Sequence, residues 1–231
     1  RIQLESVLTS AEYAQIDEFC RTHSGVEQLP RIAKWLEAEF GVRLCLDPDI
    51  TIGFARDSSN LPGEDCGVAR PETERECAIL LRTSFQARIP VTVSGGRTNL
   101  TGSATPRGGI VLSTAQLLAP APRIDLERRT VAAPVGMFLE EMLRQVLLQS
   151  AHQLVFPVDP TSRKEASVGG ALACNASGFT PGETGAFRAW VDSIRFVLPN
   201  GHGVAAQRGQ YIADDNRFVL VGPTGEQEWR L

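Results

Sequence analysis

The sequence holds no apolar run near the roughly 20 residues that a membrane-spanning helix needs. Its five cysteines, Cys20, Cys45, Cys66, Cys77 and Cys174, form no Cys-x-x-Cys pair. An odd, scattered set argues against a disulfide framework or a zinc site and fits free thiols in a reducing, cytoplasmic setting. Positive charge is not in excess: 23 Lys and Arg stand against 27 Asp and Glu, a formal net charge of -4. No overall positive field would draw in nucleic acid. The three histidines, His23, His152 and His202, lie far apart without paired ligands, so no metal site is expected. An initiator Met is missing, and residues 1–10 lack a signal-peptide layout, so a trimmed fragment is expected. What is present is apolar enough for a real core, 42% hydrophobic over 231 residues.

Apolar spacing divides the chain. Ser10 is placed to cap a helix with Tyr13, Ile16 and Phe19 or Cys20 on one face, ending near Gly25. A second helix over 30–40 carries Ile32, Trp35, Leu36 and Phe40 as its stripe and stops at Gly41. Residues 1–56 bear no chemical motif and read as an N-terminal helical appendage. Turn formers over 57–67 mark a boundary. Val68-Ala69-Arg70-Pro71 is a strand entering a helix. Pro71 suits its first turn, Thr73 and Glu76 suit a capping box, and Cys77, Leu80, Leu81 and Phe85 should face inward. Short β-branched runs at 90–93 and 110–113 are strands on either side of a Gly-rich loop. Strands at 123–126 and 130–133 pair around a charged turn. An amphipathic helix covers 136–151, with Leu139, Met142, Leu143, Val146 and Leu147 inward. Prolines fix 156–162 as a loop. The strand at 191–198 turns at Pro199-Asn200-Gly201 and pairs with 203–206.

Two segments could carry chemistry. In Ser94-Gly95-Gly96-Arg97-Thr98-Asn99-Leu100-Thr101-Gly102, consecutive glycines let backbone N–H groups converge as an anion nest. Thr98, Asn99 and Thr101 add side-chain donors and Arg97 adds a charge. The competing reading is a wide hairpin loop. Neither G-x-x-x-x-G-K-[ST] nor G-x-G-x-x-G occurs, so a phosphate would be held by some other architecture. The second segment runs from Ala166 to Gly178 and is dense in small residues. It would let a flat ligand lie against backbone, or it is simply a tightly packed helix.

Taken in order, these pieces resemble the FAD-binding domain of the vanillyl-alcohol oxidase and p-cresol methylhydroxylase superfamily, nearest its D-lactate dehydrogenase and glycolate oxidase FAD-subunit branch. The resemblance runs over about 68–204. It rests on Ile89-Pro90-Val91-Thr92 leading into 94–98, then Gly109-Ile110-Val111-Leu112-Ser113, Phe156-Pro157-Val158-Asp159-Pro160-Thr161-Ser162, Val168-Gly169-Gly170, Asn175-Ala176-Ser177-Gly178 and Val197-Leu198-Pro199-Asn200-Gly201. It implies a two-lobed α+β fold of the p-cresol methylhydroxylase type with FAD between the lobes. The domain would cover 57–231, with lobes at about 65–120 and 121–231, and be incomplete at its C-terminal end. Ser94, Gly95, Gly96, Arg97 and Thr98 would wrap the pyrophosphate, and Asn99, Thr101 and Gly102 would continue that wall. Pro157, Asp159, Pro160, Thr161 and Ser162 would run beside the flavin and its ribityl chain. Val168, Gly169 and Gly170 would pack on the cofactor, and Asn175, Ala176, Ser177 and Gly178 would approach the flavin. Arg97 stands where many relatives have Gly, so it could salt-bridge a phosphate. Some relatives bond FAD covalently through a His in the first loop; this loop has none, and 156–170 holds no Cys, so FAD is expected to be non-covalent. The implied activity is oxidation of a small 2-hydroxy acid, with electrons leaving to a quinone or an acceptor protein. Catalytic residues remain unassigned, and a homo-oligomer is compatible. A non-redox transferase of the alkyl-dihydroxyacetone-phosphate synthase type and a non-catalytic flavin-holding subunit are the alternatives.

Overall fold

A computed structural model describes residues 1–179, 181–223 and 225–230, residue 181 by its backbone alone. Two short strands, β1 (Ile2–Gln3) and β2 (Glu5–Ser6), precede helix α1 (Ser10–Cys20). Thr9, not Ser10, caps this helix. Its hydroxyl accepts from the Glu12 N–H, while the Glu12 carboxylate accepts from the Thr9 N–H at 2.7 Å, so two end donors are satisfied reciprocally. The helix stops at Cys20, short of Gly25, and buries Ile16 and Cys20. Helix α2 (Leu29–Phe40) ends as expected at Gly41, whose φ of 70° is the left-handed cap that glycine adopts without strain. Ile32 and Leu36 form its buried stripe, and Trp35 stacks on Phe19 of α1 at 4.0 Å.

Strand β3 (Leu44–Cys45), the single turn α3 (Pro48–Thr51) and strand β4 (Gly67–Ala69) lead to α4 (Glu74–Gln86). Thr73 caps α4 by accepting from the Glu76 N–H, but the Glu76 carboxylate takes the Glu72 N–H, so the box closes one residue early. Pro71 lies ahead of the helix rather than in its first turn. Cys77 and Leu80 are buried as expected. Phe85 is 56% exposed, because Ser84 takes the inward position beside it.

Strands β5 (Val91–Ser94) and β6 (Ile110–Ser113) complete a sheet of order β3-β4-β6-β5, in which β3 alone is antiparallel. All four residues of β6 are buried, as a central strand of unbroken apolar character should be. Parallel pairing of β5 and β6 excludes the hairpin reading of the loop between them. It also brings the carboxyl ends of β4, β5 and β6 to one edge. Helices α1, α2 and α4 share one core with this sheet. Leu8, Ile16, Ile32, Leu36, Val42 and Leu44, from the stretch expected as an appendage, lie in the same buried cluster as Ala69, Ile79, Leu80, Ile110 and Leu112.

Past β6, strands β7 (Arg123–Asp125) and β8 (Thr130–Ala132) pair antiparallel around the charged turn. Helices α5 (Leu139–Gln149) and α6 (Val168–Ala173) build a second cluster of Leu139, Met142, Val158, Ala171 and Phe187. After the turn α7 (Pro181–Thr184), strands β9 (Ser193–Val197) and β10 (His202–Gln207) pair as expected, with β2 on the other side of β10. Strands β11 (Arg217–Gly222) and β12 (Gly225–Arg230) were not expected; they pair with each other, and β1 joins β11 in parallel. The whole is α+β. Arg82 fastens the two halves: it pairs with Asp17 of α1 at 2.6 Å and donates to the Asn200 carbonyl in the β9–β10 turn at 3.3 Å.

The shared core makes a prediction. Ile32→Ala should destabilise the protein by about 2–5 kcal/mol, the range for truncating a buried aliphatic. Urea unfolding followed by far-UV circular dichroism should still show one transition; a separate early step confined to residues 1–56 would show that stretch to be independent.

Candidate functional site

The edge formed by the carboxyl ends of parallel strands is where open α/β sheets take ligands, because the strands diverge into loops there. Here β5 ends in Ser94, which is 1% exposed and whose Oγ has no hydrogen-bond partner among the described residues. Gly95, Gly96, Arg97 and Thr98 follow. Among the described residues, none of their four N–H groups donates to another protein group. Four consecutive backbone donors without a protein partner can converge on an acceptor such as an anion.

Both glycines are required by what packs against them. A Cβ on Gly95 would fall 2.5 Å from Ser167 Oγ, and one on Gly96 would fall 1.8 Å from the Glu165 carbonyl oxygen. The two segments singled out in the sequence therefore meet, backbone against backbone. Ser167 caps α6, its hydroxyl accepting from the Gly170 N–H at 3.1 Å. Val168 and Gly169 donate to the carbonyls of Met137 and Val135 at 2.8 and 2.9 Å, which fixes α6 beside the start of α5. Close to the carboxyl end of β6, Gly136 lies where a Cβ would meet the Thr114 carbonyl at 2.2 Å.

The rest of the first loop is internally locked. Asn99 Oδ1 accepts from the N–H groups of Thr101 and Ser103 and from the Thr101 hydroxyl, each at 3.1 Å. Asn99 and Thr101 thus spend side-chain capacity on holding the turn to Gly102, whose φ is 75°. Asp57, which sequence reasoning passed over among turn formers, is 6% exposed and reaches into this loop. It accepts from the Ser59 N–H, the Ser59 hydroxyl and the Ala104 N–H. Burial opposes its ionisation, but these bonds and the Asn99 side chain outweigh burial and hold its carboxyl below the ordinary range. Arg97 has a φ of 56°, and its guanidinium donates to the Gly53 carbonyl and lies over the Phe54 ring at 4.6 Å.

In the second half, Pro160 is buried while Thr161 is exposed. Asp159 pairs with Arg163 at 2.5 Å, four residues on, and Arg163 also reaches Glu140 of α5. No helix runs through 159–163, so the i,i+4 spacing alone gave no signal of this pair. Gly178 sits against Asp159, where a Cβ would lie 2.7 Å from the Asp159 nitrogen. Asn175 has a φ of 49°, and its Oδ1 accepts from the Arg188 N–H at 3.1 Å. Ala176 accepts from the Phe187 N–H at 2.8 Å, and Ser177 bridges Ala186. The structure thus joins 95–96 to 165–170 and Asp159 to Gly178, with α6 between the two contacts. Pro157 and Ser162 belong to the same Pro-fixed loop, half-buried.

A small-residue loop with free N–H groups, set at the edge of parallel strands and faced by a glycine-bearing helix, defines a cofactor-binding fold of the nucleotide type. Residues 66–206 match the family described as FAD binding domain, and the chain belongs to that family. It is 31% identical over 201 residues to D-2-hydroxyglutarate dehydrogenase of Xanthomonas citri pv. viticola, covering 85% of this chain and 42% of that protein. It is 32% identical over 167 residues to D-lactate dehydrogenase of Archaeoglobus fulgidus, covering 70% of this chain and 36% of that one. The chain therefore spans less than half the length of these relatives. A solved alkyldihydroxyacetonephosphate synthase shares the fold, with a TM-score of 0.67 at 21% identity over 79% of this chain and 36% of that one.

Two predictions come from the contacts. Gly96→Ala should cost about 1–3 kcal/mol, as overpacking does, because Glu165 backbone has to move. Gly53→Ala, which meets nothing within 4 Å, should leave thermal stability unchanged. A wild-type melting temperature for Gly96→Ala would show that the two segments do not pack as described.

Asp57 gives a pH dependence. A carboxyl depressed by folding stabilises the fold above its unfolded pKa, about 3.9, and that stability is lost as pH falls through the lower folded value. Asp57→Asn should therefore be less stable than wild type at pH 7, with the gap narrowing as pH drops below about 4. Urea midpoints across that range measure the gap; one that stays constant with pH would show that the charge of Asp57 is immaterial.

Proposed function

We propose that this chain holds FAD non-covalently and is the cofactor-binding part of an oxidoreductase acting on a small 2-hydroxy acid such as D-lactate or glycolate. The four free N–H groups at 95–98, closed from the far side by 165–170, carry this reading. A pyrophosphate needs several donors, close approach and no bulk, and these residues offer all three. Gly95, Gly96, Arg97 and Thr98 would donate N–H groups to its oxygens, and Ser94 Oγ would add a hydroxyl. Asn99, Thr101 and Gly102 would keep the far turn rigid. Pro157, Asp159, Pro160, Thr161 and Ser162, the start of α6 and 175–178 would line the flavin end. Bound FAD would supply the acceptor for a hydride from the substrate carbon. The protein's part is placement, orientation and exclusion of water.

The non-covalent reading is supported by the lack of His and Cys in 94–109 and 156–170. A cytoplasmic setting is supported by five scattered cysteines without a Cys-x-x-Cys pair, which suit a reducing compartment. No helix among the described residues is long and apolar enough to cross a membrane. The reduced cofactor would pass electrons to a quinone or an acceptor protein. A transferase reading rests on a likeness at 21% identity, which speaks for fold alone, whereas two relatives named as dehydrogenases of 2-hydroxy acids stand at 31% and 32%.

The visible spectrum of the purified full-length protein, before and after heating, tests the cofactor. A structured flavin spectrum released to the supernatant is expected; colour retained by the precipitate would mean a covalent bond. Anaerobic addition of D-lactate, glycolate or D-2-hydroxyglutarate should then bleach the flavin band. Bleaching by none of them would sink the 2-hydroxy acid reading.

A further inference from the structure

Arg97 is the one bulky residue in the nest, and it has a left-handed φ of 56°. Side chains disfavour that conformation and glycine accepts it freely, so the backbone at this position suits Gly better than Arg. What the arginine gains lies outside the loop. Its guanidinium donates to the Gly53 carbonyl and covers Phe54 at 4.6 Å, and Arg70, just past β4, lies over the same ring at 5.1 Å. The Arg97 carbonyl accepts from both the N–H and the hydroxyl of Ser58, at 3.0 and 3.1 Å. Neither Arg70 nor Arg97 pairs with a carboxylate among the described residues. One residue therefore grips the 53–58 segment at both ends, by side chain and by carbonyl. Asp57, between them, grips the same loop again at Ala104.

We propose that Arg97 is a positioning residue: it clamps the 53–58 segment onto the cofactor loop through Phe54 and Gly53, and thereby holds the N–H groups of 95–98 in binding geometry, instead of contacting phosphate with its guanidinium. The proposal rests on the FAD reading above. A phosphate contact and a clamp respond differently to substitution. A lysine keeps the charge that a phosphate would feel but loses the planar fork and the stacking. Arg97→Gly relaxes the backbone while removing the side chain, so any loss it causes belongs to the side chain.

The experiment uses the full-length protein stripped of flavin. It measures FAD affinity by fluorescence quenching, amide deuterium exchange over 53–59, and urea midpoints for Arg97→Gly, Arg97→Lys, Phe54→Ala and the Arg97→Gly/Phe54→Ala pair. With a clamp, both Arg97 variants and Phe54→Ala weaken FAD binding by about tenfold, the size of a cation–π contact with its hydrogen bond. The pair is no weaker than Arg97→Gly alone, exchange over 53–59 accelerates, and the urea midpoint hardly moves. Retained affinity in Arg97→Lys, together with Phe54→Ala within twofold of wild type, would overturn the clamp in favour of a direct phosphate contact. Unchanged exchange over 53–59 overturns it whatever the flavin does. Wild-type protein that takes up no FAD, yet whose variants exchange faster, would sink the flavin reading while supporting the clamp.

Discussion

The close approach of two backbones, at Gly95–Gly96 on one side and 165–170 on the other, is the constraint on which the site depends. A methyl group on Gly96 would lie 1.8 Å from a carbonyl oxygen, so even the smallest side chain has no place there. The contact sets the distance between the sheet of β4, β5 and β6 and the α5–α6 unit. Among the described residues the neighbouring N–H groups of 95–98 donate to no protein group. In most loops such donors would find carbonyls of their own chain. Here two carbonyls of the opposing segment are spent elsewhere, Ala166 on Leu139 and Ser167 on Ala171.

The loop is supported from below as well. Parallel pairing fixes where β5 ends, and Asp57 fixes where the loop goes next. The first is a property of the sheet, set by its pairing to β6, which is buried along its whole length. The second is a single ionised group in a nearly closed space, tolerated because hydrogen-bond donors surround it. Residues 53–59 thereby join a site whose named motifs all lie beyond residue 94.

Elements with strong local signals were legible in the sequence. The stripe of Ile32 and Leu36 with its Gly41 stop, the β9–β10 pairing and the stripe of α5 all follow from period and punctuation. Both chemical segments were legible too, as glycine and small-residue clusters, although composition alone could not say that they touch. What was not legible depends on partners remote in sequence. The stretch 1–56 has no motif, and nothing local reveals that Leu44 lies opposite Ala69 or that Ile16 shares a cluster with Ile110. Strands β11 and β12 went unread because Phe218-Val219-Leu220-Val221 is short and β12 is charged and exposed along its length. Asp57 looked like one more turn residue, since its role depends on Ala104 and Asn99, beyond a helix and two strands.

The first six residues carry a temporal consequence. Ile2 and Gln3 lie opposite Leu220 and Val221, and Glu5 and Ser6 lie opposite Gly203 and His202. On a ribosome β1 and β2 emerge ahead of their strand partners, which follow about 200 residues later. Until then β1 and β2 are unpaired edges, open to other chains as well as to their own. The α1–α2–α4 core could condense early from nearby segments, whereas closing these two sheets joins strands about 200 residues apart, the slowest kind of contact to form. During synthesis β1 and β2 would therefore pair only once β10 and β11 have been made.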